Sequence, residues 1–234
     1  MAMVMAAGLG TRMLPLTLDR PKALVEVGGR ALIDHVLDRL VAAGVETAVV
    51  NVHAFADHLE SHLSDRRTPR ILISDERETL LETGGGLKKA RPLLGDAPVW
   101  VANIDSVWIE RSPVLDAVAT AWDPDAMDAC LLLARMEQTQ GFDGAGDAFL
   151  SPEGRLTFRG EAPRAPYAYA GFQIMKPQIV DDGPDGPFRL NVSWRPSEVA
   201  GRLHGVLLDG DWIHVSDPAG RVAADASLRA GAAR

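Results

Sequence analysis

Two stretches near the N-terminus place glycines and cations close together. The first, Ala6-Ala7-Gly8-Leu9-Gly10-Thr11-Arg12-Met13, follows a short apolar run, and its small residues would let the backbone approach a phosphate. The second carries Lys22 directly after Pro21, whose ring restricts the backbone and so fixes the direction of the lysine. Cations beside such a turn could offset the charge that develops on phosphorus oxygens in phosphoryl or nucleotidyl transfer.

This turn differs from two familiar phosphate-binding turns. A dinucleotide fingerprint requires a third glycine where Met13 stands, and an acidic residue after the second strand, where the chain has Asn51 and His53. A P-loop requires Gly-Lys-Ser/Thr at its end, which is absent from the sequence here. A plain strand-to-helix turn with two solvated surface charges is the simpler alternative.

Further along the chain, a glycine run and an aspartate could complete a nucleotide site. Gly84 to Gly86 precede a helical stretch, and their missing side chains would let a base lie against the backbone. Asp105 follows the apolar strand 99–103, at the carboxyl end of which open α/β folds bind ligands. Magnesium is commonly held by one or two carboxylates and substrate phosphates. A helix-entry turn and a helix N-cap are the alternatives for these two features.

Strands and helices must alternate to position these residues. Apolar and β-branched runs predict buried strands, and apolar residues repeating at i+4 predict helices. The predicted strands are 2–7, 47–52, 70–74, 99–103, 129–135 and 167–175, and the predicted helices are 31–43, 54–63, 86–94 and 113–122. Helical crossovers between strands imply a mostly parallel sheet with right-handed connections.

The second half of the chain has a different pattern. We expect a hairpin over 149–158, a short helix over 196–202, and two strands, 203–208 and 212–215, that pair with each other. We expect a single domain over 1–234, with a lid or loop insertion at about 137–166 and a C-terminal helix and tail at about 219–234.

Composition excludes several classes of protein. The chain has 234 residues, of which 47% are hydrophobic, enough for one sizeable core. Its net charge of −8 disfavours nucleic acid as a partner, and no apolar run is long enough to predict a membrane span. The single cysteine, Cys130, cannot form an intramolecular disulfide, so we expect a cytoplasmic protein. We expect this protein to be a monomer or a small homo-oligomer.

Taken in order, the segments 5–13, 15–17 and 21–24 resemble the opening of the sugar-phosphate nucleotidyltransferases. The run Glu82-Thr83-Gly84-Gly85-Gly86 is similar to that family's nucleobase-contacting loop, and Asn103-Ile104-Asp105 is similar to its metal-binding segment. Trp212-Ile213-His214-Val215 stands where the family has a second metal-binding segment. The resemblance covers nearly the whole chain, and it implies a Rossmann-like, three-layer α/β fold with a mixed, mostly parallel central sheet.

Within the family, the glycine run and the pair Gly146-Asp147 resemble most closely the short N-acetylmuramate 1-phosphate uridylyltransferases of cell-wall recycling. The resemblance implies transfer of a nucleotidyl group from an NTP, UTP in that subgroup, to a sugar 1-phosphate, with release of pyrophosphate. Mannose- and heptose-1-phosphate guanylyltransferases share the same opening and are the alternative. A nucleotide-sugar sensor on the same fold is the non-enzymatic alternative.

The resemblance also implies a division of roles among the site residues. Catalysis would fall to Arg12, Lys22 and Asp105. The predicted binding residues are Ala7, Gly8, Gly10, Thr11, Arg12, Glu82, Gly84 and Gly85 for the nucleotide, Asn103, Asp147, Glu161 and Tyr169 for the sugar phosphate, and Asp105 and His214 for the metal, Mg²⁺.

The chain departs from the family pattern at three positions. Ile104 stands where the family has glycine, and it could crowd the nucleotide or point into the sheet. His214 stands where the family has a second aspartate, and Ser216 where it has glycine. Imidazole is a poor magnesium ligand, so the two-carboxylate site does not carry over intact.

Overall fold

The computed structural model describes residues 1–232, which form strands and helices in alternation through the first half of the chain. The helices are α1 (Leu32–Ala42), α2 (Ala56–Ser64), α3 (Glu82–Leu94), α4 (Val114–Ala121), α5 (Asn191–Val199) and α6 (Pro218–Ala232). The strands are β1 (Ala2–Met5), β2 (Glu26–Val27), β3 (Arg30–Ala31), β4 (Thr47–Val52), β5 (Arg70–Asp75), β6 (Val99–Asn103), β7 (Ser106–Glu110), β8 (Ala129–Arg135), β9 (Thr139–Gln140), β10 (Ala148–Leu150), β11 (Leu156–Phe158), β12 (Tyr167–Met175), β13 (Leu203–Leu207) and β14 (Gly210–His214).

A nine-stranded sheet forms the centre of the molecule. Its main path runs β11-β10-β12-β6-β1-β4-β5, with β8 paired to β12 and β13 paired to β8. The strands β6, β1, β4 and β5 are parallel neighbours, and only β12 and β11 run against the others within this described sheet. The predicted mixed, mostly parallel α/β sheet is therefore confirmed, and the carboxyl ends of four neighbouring strands share one edge.

Helices cover both faces of this sheet. On one face the apolar stripe of α1, including Ile33, Leu37 and Leu40, is fully buried. Gly44 ends that helix in a left-handed conformation (φ 79°), with its N–H donating to Val41. On the other face α3 and α5 pack through Leu87 and other apolar side chains, so that the predicted three-layer architecture results.

A second sheet has three strands in the order β7-β14-β9. It has a small core of its own, in which Val107, Ile213 and Val215 pack against Ala224 of α6. The sequence analysis assigned no element to 106–110, although Val107, Trp108 and Ile109 form an apolar run of the kind found in strands.

Three boundaries or pairings differ from the prediction. Helix α3 begins at Glu82, so the glycine run lies inside the helix rather than ahead of it. Helix α5 begins at Asn191 and contains Pro196, which the sequence placed at its start. The strands β13 and β14 do not pair with each other: β13 joins the central sheet beside β8, and β14 joins the small sheet.

The remaining predicted elements of the second half are a hairpin and the final helix. The predicted hairpin is confirmed as β10 and β11, which pair antiparallel inside the segment expected to be a lid and attach to β12. The final helix is present as α6, whereas residues 233–234 of the predicted tail lie outside the described residues. No helix within residues 1–232 is long and apolar enough to cross a membrane.

We expect Gly85→Ala to destabilise the protein by about 1–3 kcal/mol, the usual range for overpacking a core. A Cβ at Gly85 would lie 2.4 Å from the carbonyl oxygen of Gly186, a backbone atom that cannot rotate away. The matched control is Gly231→Ala in α6, where the nearest atom is 3.4 Å away and alanine should be neutral or slightly stabilising. Thermal unfolding of both variants measures the difference, and equal melting temperatures would contradict it.

Candidate active site

A cleft of about 340 Å³ opens at the edge where the parallel strands end. This volume lies within the range of small-molecule sites, and the position is where open α/β sheets bind ligands. Its lining residues come from the ends of β1, β4 and β6, from the segments that follow β1 and β5, and from the start of α3. They are Met5, Ala7, Gly8, Leu9, Gly10, Thr11, Arg12, Lys22, Asn51, Glu76, Leu80, Glu82, Thr83, Asn103, Ile104, Asp105 and Ser216.

The glycine-rich turn is folded tightly against Lys22. Gly10 adopts a left-handed conformation (φ 63°, ψ 30°), and its carbonyl accepts a hydrogen bond from Thr17 Oγ1 at 2.9 Å. A Cβ at Gly10 would lie 2.9 Å from Lys22 Cβ, so this position needs glycine for its conformation and for its space. Arg12 and Thr11 are exposed at the mouth of the cleft.

Asp105 is the centre of a charged cluster in the cleft. Its Oδ2 accepts a hydrogen bond from Lys22 Nζ at 2.8 Å, and His214 Nε2 lies 3.4 Å from the same oxygen. Lys22 is 8% exposed, and the side chains of Asp105 and His214 are 22% and 18% exposed. The sequence-predicted catalytic pair and the unusual histidine are therefore direct neighbours.

The cluster keeps Asp105 ionised. Burial on its own would raise the pKa of this carboxyl group, but the charge of Lys22 and the hydrogen bond with His214 outweigh burial and hold the pKa well below its usual range. Both neighbours contact Oδ2, and among the described residues the second oxygen of Asp105 has no hydrogen-bond partner.

The small sheet brings His214 to this position. In the antiparallel β7–β14 pair, His214 stands opposite Ser106, the residue after Asp105, and the N–H of Val215 donates to the Asp105 carbonyl at 2.8 Å. Trp212 donates its indole N–H to Ser106 Oγ at 2.7 Å and stacks on the His214 ring at 5.5 Å between centroids. The imidazole is therefore held by strand register and by an aromatic neighbour.

Two further predicted residues lie beside a bulge in β12: Tyr169 is in β12, and Asp147 directly precedes β10. The register between β12 and β8 shifts between Tyr169 and Gln173, and Gly171 in the bulge has φ 79°. Burial raises the pKa of Asp147, although its Oδ2 accepts a hydrogen bond from the Tyr169 N–H at 2.8 Å. Burial also raises the pKa of Tyr169, and the charge of Asp105 adds to the effect. Asp147 and Tyr169 thus lie near the cluster but outside the lining of the main cleft.

Two residues of the cleft were missed as site residues from the sequence. Asn51 and Glu76 follow or end neighbouring strands, are 2% and 0% exposed, and are joined by a hydrogen bond of 2.8 Å. Their only sequence signal is position: like Asp105, each stands at the carboxyl end of a parallel strand. From the sequence, Asn51 was noted only because it stands where a dinucleotide-binding fold has an acidic ribose ligand.

The structure brings most of the predicted nucleotide residues to the cleft, but Gly84, Gly85 and Glu161 belong neither to its lining nor to the charged cluster. Gly84 and Gly85 are buried, and their N–H groups donate to the Phe188 carbonyl at 2.8 and 3.1 Å. A Cβ at Gly84 would meet the Phe188 ring at 2.3 Å, so these glycines serve packing. Glu161 is exposed and does not line the cleft. Ile104 is 5% exposed and packs against the core, and its remaining surface lines the cleft.

The described residues do not form a metal-binding group by themselves. Within 1–232 there is no cluster of three or more histidine, cysteine, aspartate or glutamate side chains that could hold an ion. Asp105 supplies one carboxylate, and His214 Nε2 faces that carboxylate. An ion at this site would therefore need further oxygen ligands from a substrate and water.

Comparisons with known proteins agree with this geometry. The family model for nucleotidyl transferases matches residues 1–142. An N-acetylmuramate alpha-1-phosphate uridylyltransferase of Caulobacter vibrioides is 59% identical over 232 residues, covering 97% of this chain and 96% of its own. A mannose-1-phosphate guanyltransferase of Neurospora crassa is 28% identical over 232 residues, covering 93% of this chain and 61% of its own. The structure of a UDP-glucose pyrophosphorylase complexed with UDP-glucose has a TM-score of 0.79 at 17% identity, covering 98% of each chain, and so shares the fold.

We expect Asp147→Asn to make the protein more stable than the wild type at neutral pH. The pKa of Asp147 is raised by folding, so its ionisation costs stability as the pH rises from the unfolded value near 4 through the raised folded value. Asparagine has no charge and can still accept the Tyr169 N–H. Urea unfolding from pH 3 to pH 8 measures this: the two proteins should converge at the acid end, and a variant that is less stable at pH 8 would contradict it.

Proposed function

We propose the reaction of this protein from one premise: the chain belongs to the nucleotidyl transferase family. The proposed reaction transfers a uridylyl group from UTP to N-acetylmuramate α-1-phosphate and gives the UDP-sugar and pyrophosphate. The observation that carries the proposal is the Lys22–Asp105–His214 cluster beside the glycine-rich turn, in a chain 59% identical to such a uridylyltransferase along nearly its whole length.

In the proposed mechanism, positioning and charge stabilisation supply the catalysis. A phosphate oxygen of the sugar 1-phosphate attacks the α-phosphorus of the NTP in line, while the bond from that phosphorus to the pyrophosphate oxygen breaks. The backbone from Gly8 to Arg12 holds the triphosphate, and Arg12 screens the leaving pyrophosphate. Lys22 bridges the reacting phosphates. Because the sugar phosphate attacks the α-phosphorus directly, no covalent enzyme intermediate forms.

The sugar phosphate binds on the other side of the cluster in this proposal. Asn103 lines the cleft beside Asp105 and would contact the ribose or the sugar. Asp147 and Tyr169 would contact the sugar, because they are joined by a hydrogen bond and are near enough to His214 and Asp105 to feel their charges.

The residues present fit a magnesium ion that the substrate helps to hold. Asp105 would supply one carboxylate oxygen, and triphosphate oxygens with water would complete the octahedral shell that magnesium prefers. When bound, the ion neutralises charge on the phosphates. His214 contacts Oδ2 of Asp105, so we assign it to orienting that carboxylate.

The setting of the reaction follows from its substrates. We propose that the protein acts in the cytoplasm, where UTP is available, as a monomer or small homo-oligomer without nucleic-acid or membrane partners. The net charge of −8 and the buried, unpaired Cys130 support this setting.

A pyrophosphate-release screen tests the reaction. Four NTPs are combined with N-acetylmuramate, mannose, heptose and glucose 1-phosphates, and the highest kcat/KM should belong to UTP with N-acetylmuramate 1-phosphate. A maximum with GTP and mannose or heptose 1-phosphate would replace the proposal with the guanylyltransferase alternative. Binding of a nucleotide sugar without pyrophosphate release in any combination would favour the sensor.

We expect Lys22→Ala to lower turnover by more than about 100-fold, the scale of single charge contributions in preorganised sites. The reason is that Lys22 Nζ donates a hydrogen bond to Asp105 beside the glycine-rich turn. Arg20→Ala is the matched control, because Arg20 is an exposed cation two residues away that pairs with Asp19 outside the cleft. Near-normal turnover in a folded Lys22→Ala would remove this lysine from the mechanism.

We expect His214→Asp to lower the free magnesium concentration that the enzyme needs and to weaken any preference for manganese. A second carboxylate beside Asp105 adds an oxygen ligand, whereas imidazole suits manganese better than magnesium. Initial rates against each free ion, and the rise in melting temperature with each ion alone, measure the change.

His58→Asp makes the same substitution at an exposed histidine outside the cleft and should change neither measurement. An unchanged magnesium curve in an active His214→Asp would show that the side chain at 214 does not influence the ion.

A further inference from the structure

A buried amide–carboxyl pair connects the two sides of the cleft. The Asn51 side chain accepts hydrogen bonds from the N–H groups of Ala6 and Ala7 at 2.6 and 3.2 Å, at the start of the glycine-rich turn. Glu76 Oε2 accepts a hydrogen bond from the N–H of Leu81 at 3.1 Å, directly before α3. The link between them is the bond from Asn51 Nδ2 to Glu76 Oε1 at 2.8 Å.

The direction of every bond in this chain of contacts is fixed. Since the Ala6 and Ala7 N–H groups can only donate, the atom facing them must be the Asn51 oxygen, and the Asn51 amide nitrogen must face Glu76. Both Glu76 oxygens are acceptors, one from Asn51 and one from Leu81. His53 Nδ1 also holds the Glu76 carbonyl at 2.7 Å, which fixes the backbone at this position.

Helix α3 rests directly on the pair. A Cβ at Gly86 would lie 2.6 Å from Glu76 Oε1 and 3.0 Å from Asn51 Nδ2. The first turn of α3 therefore cannot move relative to the pair without a clash or a broken hydrogen bond.

Stability alone does not account for this arrangement. A buried polar pair is often no more stabilising than apolar side chains of the same volume. A carboxyl group beside a phosphate-binding turn also acts against anion binding. The distinctive property of the pair is geometric, because it ties the phosphate side of the cleft to its other wall, which is formed by Leu80, Glu82 and Thr83.

We propose that Asn51 and Glu76 are positioning residues that set the distance between the triphosphate-binding turn and the wall that contacts the nucleoside. This inference rests on the proposed function, in that the ligand is a nucleoside triphosphate. In this proposal the pair increases the affinity for the whole nucleotide, and neither side chain contacts the reacting atoms.

An exchange of the two chemical groups tests the proposal. Asn51→Asp places a second carboxylate against Glu76, and Glu76→Gln leaves an amide N–H₂ facing either the Asn51 N–H₂ or the Leu81 N–H. In the double variant every hydrogen bond can form again, with only the middle one reversed: the new glutamine donates to the new aspartate and accepts from Leu81.

The measurements are the dissociation constants of UTP, UMP and pyrophosphate by calorimetry, and KM for each substrate. Each single variant should bind UTP about 10- to 100-fold more weakly, the scale of one unsatisfied buried group. The double variant should return to within about threefold of the wild type. In the single variants KM for the NTP should rise much more than KM for the sugar 1-phosphate.

Gln173→Leu is the matched control for a purely structural effect. Gln173 is another fully buried amide, in β12, and it accepts the Trp194 indole N–H at 3.1 Å outside the cleft. It should lower the melting temperature and leave the UTP dissociation constant unchanged.

The outcomes separate clearly. Folded single variants with wild-type UTP affinity, or a folded double variant as weak as the worse single variant, would overturn the proposal. If the single variants do not fold, the double variant decides: it must fold and bind UTP, and its failure to do either would overturn the inference. The binding data stand even if the wild type releases no pyrophosphate, which would contradict the proposed function alone.

Discussion

Oδ2 of Asp105 is contacted from two distant parts of the chain, by Lys22 near the N-terminus and by His214 near the C-terminus. For these contacts to form together, the turn after β1, the end of β6 and the small sheet must meet at one point. Removing one partner from a buried charged cluster leaves the remaining charge poorly compensated, which is strongly unfavourable. The cluster therefore connects the proposed active site to the packing of the small sheet on the large one.

The two acidic residues near this point have pKa values that are shifted in opposite directions. Asp105 has a depressed pKa because a cation and a hydrogen bond outweigh its burial, whereas burial raises the pKa of Asp147. Such a separation assigns different tasks to like groups. A permanently charged Asp105 suits an ion and the cation Lys22, and an Asp147 that is costly to ionise suits hydrogen bonding with a neutral part of a substrate.

The sequence predicted local elements well and long-range pairings less well. The strands 47–52 and 99–103 were found with correct bounds, because buried parallel strands are continuous apolar runs. The expected pairing of β13 with β14 was wrong, since adjacent apolar segments do not reveal that each joins a different sheet. The glycine-rich turn and Asp105, which recognisable motifs carry, line the cleft, whereas Gly84 and Gly85 of another motif do not. Glu76 was not predicted, because no spacing encodes its contacts with Asn51 and Leu81.

The glycine run in α3 has a practical meaning for attempts to change base preference. Its glycines pack against Phe188, the Gly186 carbonyl and Glu76, and they do not line the cleft. A mutant library built on these positions would sample folding defects far more often than new specificities. Variation at Leu80 and Glu82, which line the adjoining wall of the cleft, would leave this packing intact and would change surfaces that a ligand can touch.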